Sequence, residues 1–211
     1  SESFPGADFW LLRYGLPLLD EPARRMPKEA ARRALGIPTD RPVVLLIASA
    51  LAVPYKGMRY ALEALNQVAA NTATPPVVIL CGTDAARMRT TLPQNLPVFC
   101  TFAATNEELC RVYRAADCTV MPSLADNFPY VAIESLACET PLVAADCAGL
   151  KEIVEESGGG VIARAADTHA LATAIKSFVN HPAASTSDRN LGLQWVEANC
   201  RFNAYVRETI R

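Results

Sequence analysis

Residues 118–145 decide the fold: Cys118-Thr119-Val120-Met121, then Pro122-Ser123-Leu124-Ala125-Asp126-Asn127-Phe128-Pro129, then Tyr130-Val131-Ala132-Ile133-Glu134-Ser135-Leu136-Ala137-Cys138, then Glu139-Thr140-Pro141 and Leu142-Val143-Ala144-Ala145. The first and last pieces are short and apolar throughout rather than alternating. That pattern predicts strands covered on both faces. Pro129 suits the first turn of a helix, and Tyr130 to Cys138 follow a helical period. Strand, loop, helix and strand in such short order form one unit of a parallel sheet.

The same unit recurs on both sides. Candidate strands are Val43–Ile47, Val77–Cys81, Val98–Cys100 and Gly160–Ile162, and candidate helices are Met58–Ala70, Thr105–Ala116, Leu150–Glu156 and Thr168–Asn180. Thr105 followed by Glu108 makes a capping box. About six alternations of strand and helix predict an α/β class: a Rossmann-like, doubly wound parallel sheet of about six strands. The flanks differ. Residues 1–40 are proline-rich and read as a lead-in with a short strand (Phe9 to Tyr14) and a helix (Lys28 to Leu35). Residues 41–182 form the Rossmann-like domain. Residues 183–211 read as a helical tail bearing Trp195, Phe202 and Tyr205.

Composition sets the limits. With 51% of its 211 residues apolar, the chain can pack a core, which excludes a disordered chain. Twenty Lys and Arg against 22 Asp and Glu leave a net charge of −2, without the basic surplus of a nucleic-acid binder. The longest nearly apolar run, Val43 to Val53, falls well short of the ~20 residues a membrane span requires. The first residues lack both the basic start and the apolar region of a secretion signal. The seven cysteines contain no C-x-x-C pair, and two histidines add little to a zinc inventory. Reduced, buried thiols and a cytoplasmic location are therefore expected.

In an open parallel sheet, ligands bind at the carboxyl ends of the strands, where helix N-termini point their amides. Four loops qualify. In Ala52-Val53-Pro54-Tyr55-Lys56-Gly57, Lys56 can set an ammonium beside a phosphate; a solvated Lys next to a capping Gly gives the same pattern. The dinucleotide fingerprint and the Walker A motif are both absent, so an NAD enzyme or a P-loop NTPase is not expected. After Met121, Asp126 falls in a loop and Glu134 two turns into the next helix. Carboxylates suit the vicinal hydroxyls of a sugar or ribose, and Glu134 lies in an apolar helix, where a buried carboxylate needs a partner. In Asp146-Cys147-Ala148-Gly149, Gly149 lets the backbone approach a ligand or simply marks a turn. Phe102 after the third strand can stack on a base or belong to the core.

Together these loops resemble the nucleotide-sugar-binding, C-terminal half of family 4 retaining glycosyltransferases, which have the GT-B fold. The likeness runs from about Leu35 to Asn180. It rests on Leu35-Gly36-Ile37-Pro38, Lys56-Gly57, Glu108-Leu109, Tyr113 to Asp117, Pro122-Ser123, the stretch from Asp126 to Val143 with its two acids eight positions apart, Ala148 to Val154, Gly160 and Asp167. The resemblance implies a donor-binding half that transfers a sugar from a nucleotide-diphosphate sugar to an unknown acceptor with retention. It implies donor-sugar contacts at Asp126, Asn127 and Phe128, ribose contacts at Glu134, and diphosphate contacts at Lys56, Arg59 and Tyr130. The base would lie at Phe102. No metal and no cofactor are expected.

The N-terminal GT-B domain is the implied partner, bringing the acceptor site and the catalytic residues. Membrane association, if any, would come only through that half. The departures are equally specific. Tyr55 and Leu51 hold places where the family usually has Arg, Tyr130 stands for Asn, Thr101 for Gly, and Glu139 for the Gly before Thr140-Pro141. A non-catalytic module with weak or lost donor binding is the alternative reading. A sugar-nucleotide epimerase is a third, disfavoured by the spacing of Asp126 and Glu134.

Overall fold

The computed structural model describes residues 15–127, 129–180 and 186–201, with the side chains of 186–188 excepted. The strand expected at Phe9 to Tyr14 and the side chains of Phe128, His181, Phe202 and Tyr205 lie outside the described residues.

The strands are β1 (Val43–Ile47), β2 (Val77–Cys81), β3 (Val98–Thr101), β4 (Cys118–Met121), β5 (Leu142–Ala145) and β6 (Gly160–Ala163). The helices are α1 (Lys28–Leu35), α2 (Met58–Ala70), α3 (Ala85–Arg89), α4 (Asn106–Ala115), α5 (Tyr130–Ala137), α6 (Ala148–Ser157), α7 (Thr168–Asn180) and α8 (Thr186–Asn199). Short 3₁₀ turns at Pro17–Asp20, Pro22–Arg25 and Pro54–Lys56 each begin on a proline, whose fixed φ suits a helical first position. Thr105 and Glu108 close the capping box on α4 as the sequence suggested.

All strand pairings are parallel, and the order is β3-β2-β1-β4-β5-β6. The chain starts in the middle, winds outward to β3, returns past β1 and winds outward again to β6. The topological switch point therefore lies between β1 and β4, whose following loops leave in opposite directions and open a crevice.

The uniformly apolar strands follow from burial on both faces. Along β1, Val43, Leu45 and Ile47 join one core while Val44 and Leu46 join the other. The first core is shared with α1, α4, α5, α6 and α8; the second with α2, α3 and α7. The four inner strands are buried at every residue, while β3 and most of β6, at the edges, are half-buried. All seven cysteines are free thiols, six of them buried and Cys100 half-buried. Among the described residues, no helix is long and apolar enough to cross a membrane.

A charge network closes the amino end of the sheet. Asp117, at the entry to β4 and 4% exposed, accepts from Lys28 Nζ at 2.5 Å, from Arg32 Nη2 at 2.7 Å and from the Val43 amide at 2.8 Å. Arg189 of α8 donates to the Asp117 carbonyl at 3.1 Å and to the Glu139 carbonyl at 3.0 Å. Burial alone pushes the Asp117 carboxyl up, but Lys28 and Arg32 outweigh it and hold it below the usual carboxylate range. The helix before the sheet and its two central strands are thereby pinned to one carboxylate, and α8 to the backbone carbonyl of the same residue.

Candidate functional site

The opposite, carboxyl end of the sheet carries the residues of interest. Two loops meet over the switch point: 48–57 after β1 and 122–129 after β4. The Leu124 amide donates to the Tyr55 carbonyl at 2.8 Å. Gly57 has φ +64°, and a Cβ there would stand 2.0 Å from the Pro122 carbonyl oxygen, so only glycine lets the two backbones touch. From the other side the Gly149 amide, in the first turn of α6, donates to the Asp126 carbonyl at 3.0 Å. A Cβ on Gly149 would lie 2.1 Å from the Asn127 carbonyl oxygen. Glycine at 149 is thus required by the protein's own acidic loop rather than by the ligand approach the sequence suggested.

That bracing brings Lys56 and Asp126 together from opposite sides of the crevice. Lys56 Nζ donates to Asp126 Oδ2 at 2.8 Å, with the two side chains 23% and 14% exposed. The ammonium also lies 5.4 Å from the centre of the Tyr55 ring. Both side chains are open enough for a solute to reach. An ion pair of this exposure contributes only about 1 kcal/mol or less.

Glu134 is set by a chain of buried hydroxyls. Ser135 on α5 donates to the Thr140 carbonyl at 2.7 Å, so the Thr119 hydroxyl of β4 donates to Ser135 at 2.7 Å. Thr140 in turn donates to the Tyr113 carbonyl at 2.8 Å. These bonds lock α5 against β4 and α4, and they bring the fully buried Tyr113 to Glu134. The Tyr113 hydroxyl donates to Glu134 Oε2 at 2.8 Å. Burial raises the Glu134 carboxyl above its ordinary range, and the tyrosine bond only partly offsets that. Burial, followed by the neighbouring Glu134, pushes the Tyr113 hydroxyl well up, so it stays protonated as a donor.

The remaining expected residues are distributed along the same edge. Tyr130, 43% exposed, opens α5, which no side chain caps at Pro129. Asn127 is exposed beside Asp126. Phe102, 57% exposed, follows β3, two strands out from β1. Arg59 turns to its own neighbour: its guanidinium lies 4.5 Å from the Tyr60 ring centre and Nη2 donates to the Tyr60 hydroxyl at 2.5 Å. Leu51, where the family usually has Arg, is 1% exposed and packed in the core. Glu139 adopts a left-handed φ of +54°, a conformation that glycine takes without strain; its carboxylate pairs with Arg114 at 3.0 Å.

One residue escaped the sequence reading. Asp84, just past β2, accepts from the Leu51 amide at 2.7 Å through Oδ1 and from the Ala52 amide at 2.7 Å through Oδ2. The signal was its place in Cys81-Gly82-Thr83-Asp84, at the carboxyl end of a central strand. An apolar cleft of about 640 Å³ lies behind the same loop, between α2 and α3, lined by Leu51, Met58, Leu62, Asn66 and Met88. Arg59 lines this cleft, with Tyr55 and Leu124 from the two loops, whereas Lys56, Asp126 and Glu134 do not; the cleft therefore takes Arg59 away from the three charged groups of the crevice.

The chain is similar to known proteins over most of its length. It is 31% identical to D-inositol 3-phosphate glycosyltransferase 1 of Catenulispora acidiphila, over 98% of this chain and 51% of that protein. It is 32% identical to D-inositol 3-phosphate glycosyltransferase of Rhodococcus erythropolis, over 84% of this chain and 40% of that protein. It thus spans about half the length of these curated relatives, or less. Among solved structures, sucrose-phosphate synthase of Thermosynechococcus elongatus superposes with a TM-score of 0.78 at 27% identity, over 95% of this chain and 50% of that one. HepE of Anabaena, solved in complex with UDP, gives 0.74 at 19% identity, over 94% and 55%. The six-stranded Rossmann-like sheet is the one seen in glycosyltransferases of the GT-B fold. The family model for glycosyl transferases group 1 matches residues 41–181, which take in the whole sheet and both loops of the crevice, and the chain belongs to that family.

Proposed function

We propose that this chain is the donor-binding, C-terminal half of a family 4 retaining glycosyltransferase, taking a nucleotide-diphosphate sugar in the crevice over β1 and β4. The observation that carries the reading is the meeting of Lys56 and Asp126 at 2.8 Å across the switch point, with Glu134 held by Tyr113 on the adjoining helix. The relatives named as glycosyltransferases support it, and UDP in the crystal of HepE suggests the first nucleotide to try.

In this reading each group has one task. A diphosphate reaching Lys56 competes with Asp126 for the ammonium, so phosphate capture releases Asp126 to accept donor-sugar hydroxyls. The α5 N-terminus around Tyr130 adds its partial positive charge to the phosphates. Glu134, fixed by Tyr113 through one oxygen, accepts from the ribose hydroxyls. Asn127 and Phe128 line the sugar, and Phe102 stacks on the base. Phe102 lies two strand spacings from β1, roughly 10 Å at ~4.8 Å each. Leaving-group charge is met by the ammonium and the helix dipole, so no metal or cofactor takes part.

The acceptor and the catalytic residues belong to the N-terminal GT-B domain that makes up the other half of such enzymes. D-inositol 3-phosphate is the first acceptor to offer the two-domain protein. The location is cytoplasmic, where nucleotide sugars are available, and any membrane contact comes through the N-terminal domain.

Thermal and urea unfolding with UDP, GDP and ADP test the reading. At 100 times Kd the bound nucleotide should stabilise the chain by about 2.7 kcal/mol, in EDTA as well as without it. Glu134→Ala should abolish the shift, and a variant shift equal to wild type would refute the role of Glu134. A second reading, a module with weak or lost donor binding, is favoured by one observation: Arg59 is stacked on Tyr60, and buried Leu51 supplies no cation. Calorimetric titration that gives no heat with any nucleotide selects it.

A further inference from the structure

Lys56 sits at the end of a loop whose beginning is gripped by Asp84. The carboxylate takes two consecutive amides, Leu51 and Ala52, one on each oxygen and both at 2.7 Å. Its own segment is tied to the same loop, since the Thr83 amide and hydroxyl both donate to the Ser49 carbonyl, at 3.1 and 2.8 Å. A Cβ on Gly82 would stand 2.5 Å from the Ala48 carbonyl oxygen, so the two segments touch along their backbones. Four residues beyond Ala52, the Lys56 amide donates to the Val53 carbonyl at 3.0 Å, and the turn ends against Pro122 and Leu124. The loop that carries the cation is therefore held at two points: Asp84 at its start and the acidic loop at its end.

We propose that Asp84 is a positioning residue for diphosphate recognition, acting through the 51–56 loop to place the Lys56 ammonium. This deepens the donor-binding reading and rests on it. A carboxylate that accepts two amides is a stronger clamp than a neutral side chain. Burial pushes the Asp84 carboxyl up, but the amide bonds together outweigh it and hold it below its usual range, so it remains an acceptor in mild acid. The arrangement has a second consequence: the Leu51 and Ala52 amides are already claimed. Those two amides are not left for a phosphate, which meets the Lys56 ammonium at the other end of the loop.

Asp84→Asn tests this. The amide nitrogen would face one of the two N–H donors, leaving it without an acceptor and loosening the start of the loop. Binding of UDP and of uridine is measured by NMR titration, with GDP and guanosine and ADP and adenosine run beside them. UDP affinity should fall about tenfold, the effect of losing one charge-assisted bond. Uridine affinity, set by Glu134 and the base contact, should be unchanged. Asp84→Glu keeps two acceptors on a longer arm and should lose less of the UDP affinity. It carries the test if the Asn variant does not fold. Equal loss for UDP and uridine, or loss for neither, overturns the positioning role. Wild-type protein that binds no diphosphate and no nucleoside is a different result: it removes the donor-binding reading and this inference with it.

Discussion

The two ends of the sheet use the same chemical groups to opposite effect. At the amino end, Asp117 is 4% exposed and both its oxygens are occupied by Lys28, Arg32 and a backbone amide. At the carboxyl end, Lys56 and Asp126 share one contact and stay partly open, and Glu134 is held by one oxygen. A carboxylate saturated by its own chain is structure, because nothing remains for a ligand to exchange. A carboxylate or ammonium with capacity left over, at a strand's carboxyl end, is available for recognition. The degree of saturation, rather than charge or burial alone, separates the two roles.

The largest expected contrast is in stability. Asp117→Ala leaves the buried Arg32, and the half-buried Lys28 beside it, without their counter-charge and should cost roughly 3–5 kcal/mol in urea unfolding. Asp126→Ala should cost about 1 kcal/mol or less. Equal losses would erase the distinction between the two ends. A smaller effect that joins both properties is expected from Gly149→Ala. Its Cβ collides with the backbone of the acidic loop, so unfolding should become easier by about 1–3 kcal/mol, and nucleotide binding should weaken with it. Retained affinity would show that the loop does not need the brace.

Acid should separate the ends most finely. Asp117, whose carboxyl is held low in the fold, contributes stability above the ordinary Asp range and loses it as pH falls through its lowered value. Glu134 has the opposite sign: its carboxyl is raised, so the fold binds that proton more tightly than the unfolded chain does. Its cost appears as pH rises past the ordinary Glu range and is complete above the raised value. Mild acidification should therefore stabilise wild type relative to Glu134→Gln before deeper acid breaks the Asp117 network. On the proposed role of Glu134, nucleotide affinity should fall in the same mild window, as its carboxylate is neutralised. Parallel pH profiles for wild type and Glu134→Gln would contradict the shift.

Much of the fold was legible because it is written in local pattern. Pro129 before an apolar helix, the capping box at Thr105 and the unbroken apolar strands need only neighbours in sequence. The strand order was not legible: β1 and β2, or β1 and β4, look alike as strings, and their pairing depends on contacts across many residues. In the crevice, Lys56, Asp126 and Glu134 could be named from their loops, whereas their partners could not. Tyr113 reaches Glu134 from another helix, Arg59 prefers the ring beside it, and Asp84 works on a loop more than thirty residues earlier. The helix of the lead-in was legible, but not that it supplies Lys28 and Arg32 to the buried carboxylate. Each of these is a meeting of side chains from distant segments, which no local pattern records.

Main chain, not side chain, seats the acidic loop at Gly57 and Gly149. Its contour is thus indifferent to what it displays. Leu124, Ala125 and Asn127, all exposed, can be exchanged while the arch beneath them stands. Laboratory selection for altered binding at this crevice would do best to randomise those three positions and leave the two glycines alone.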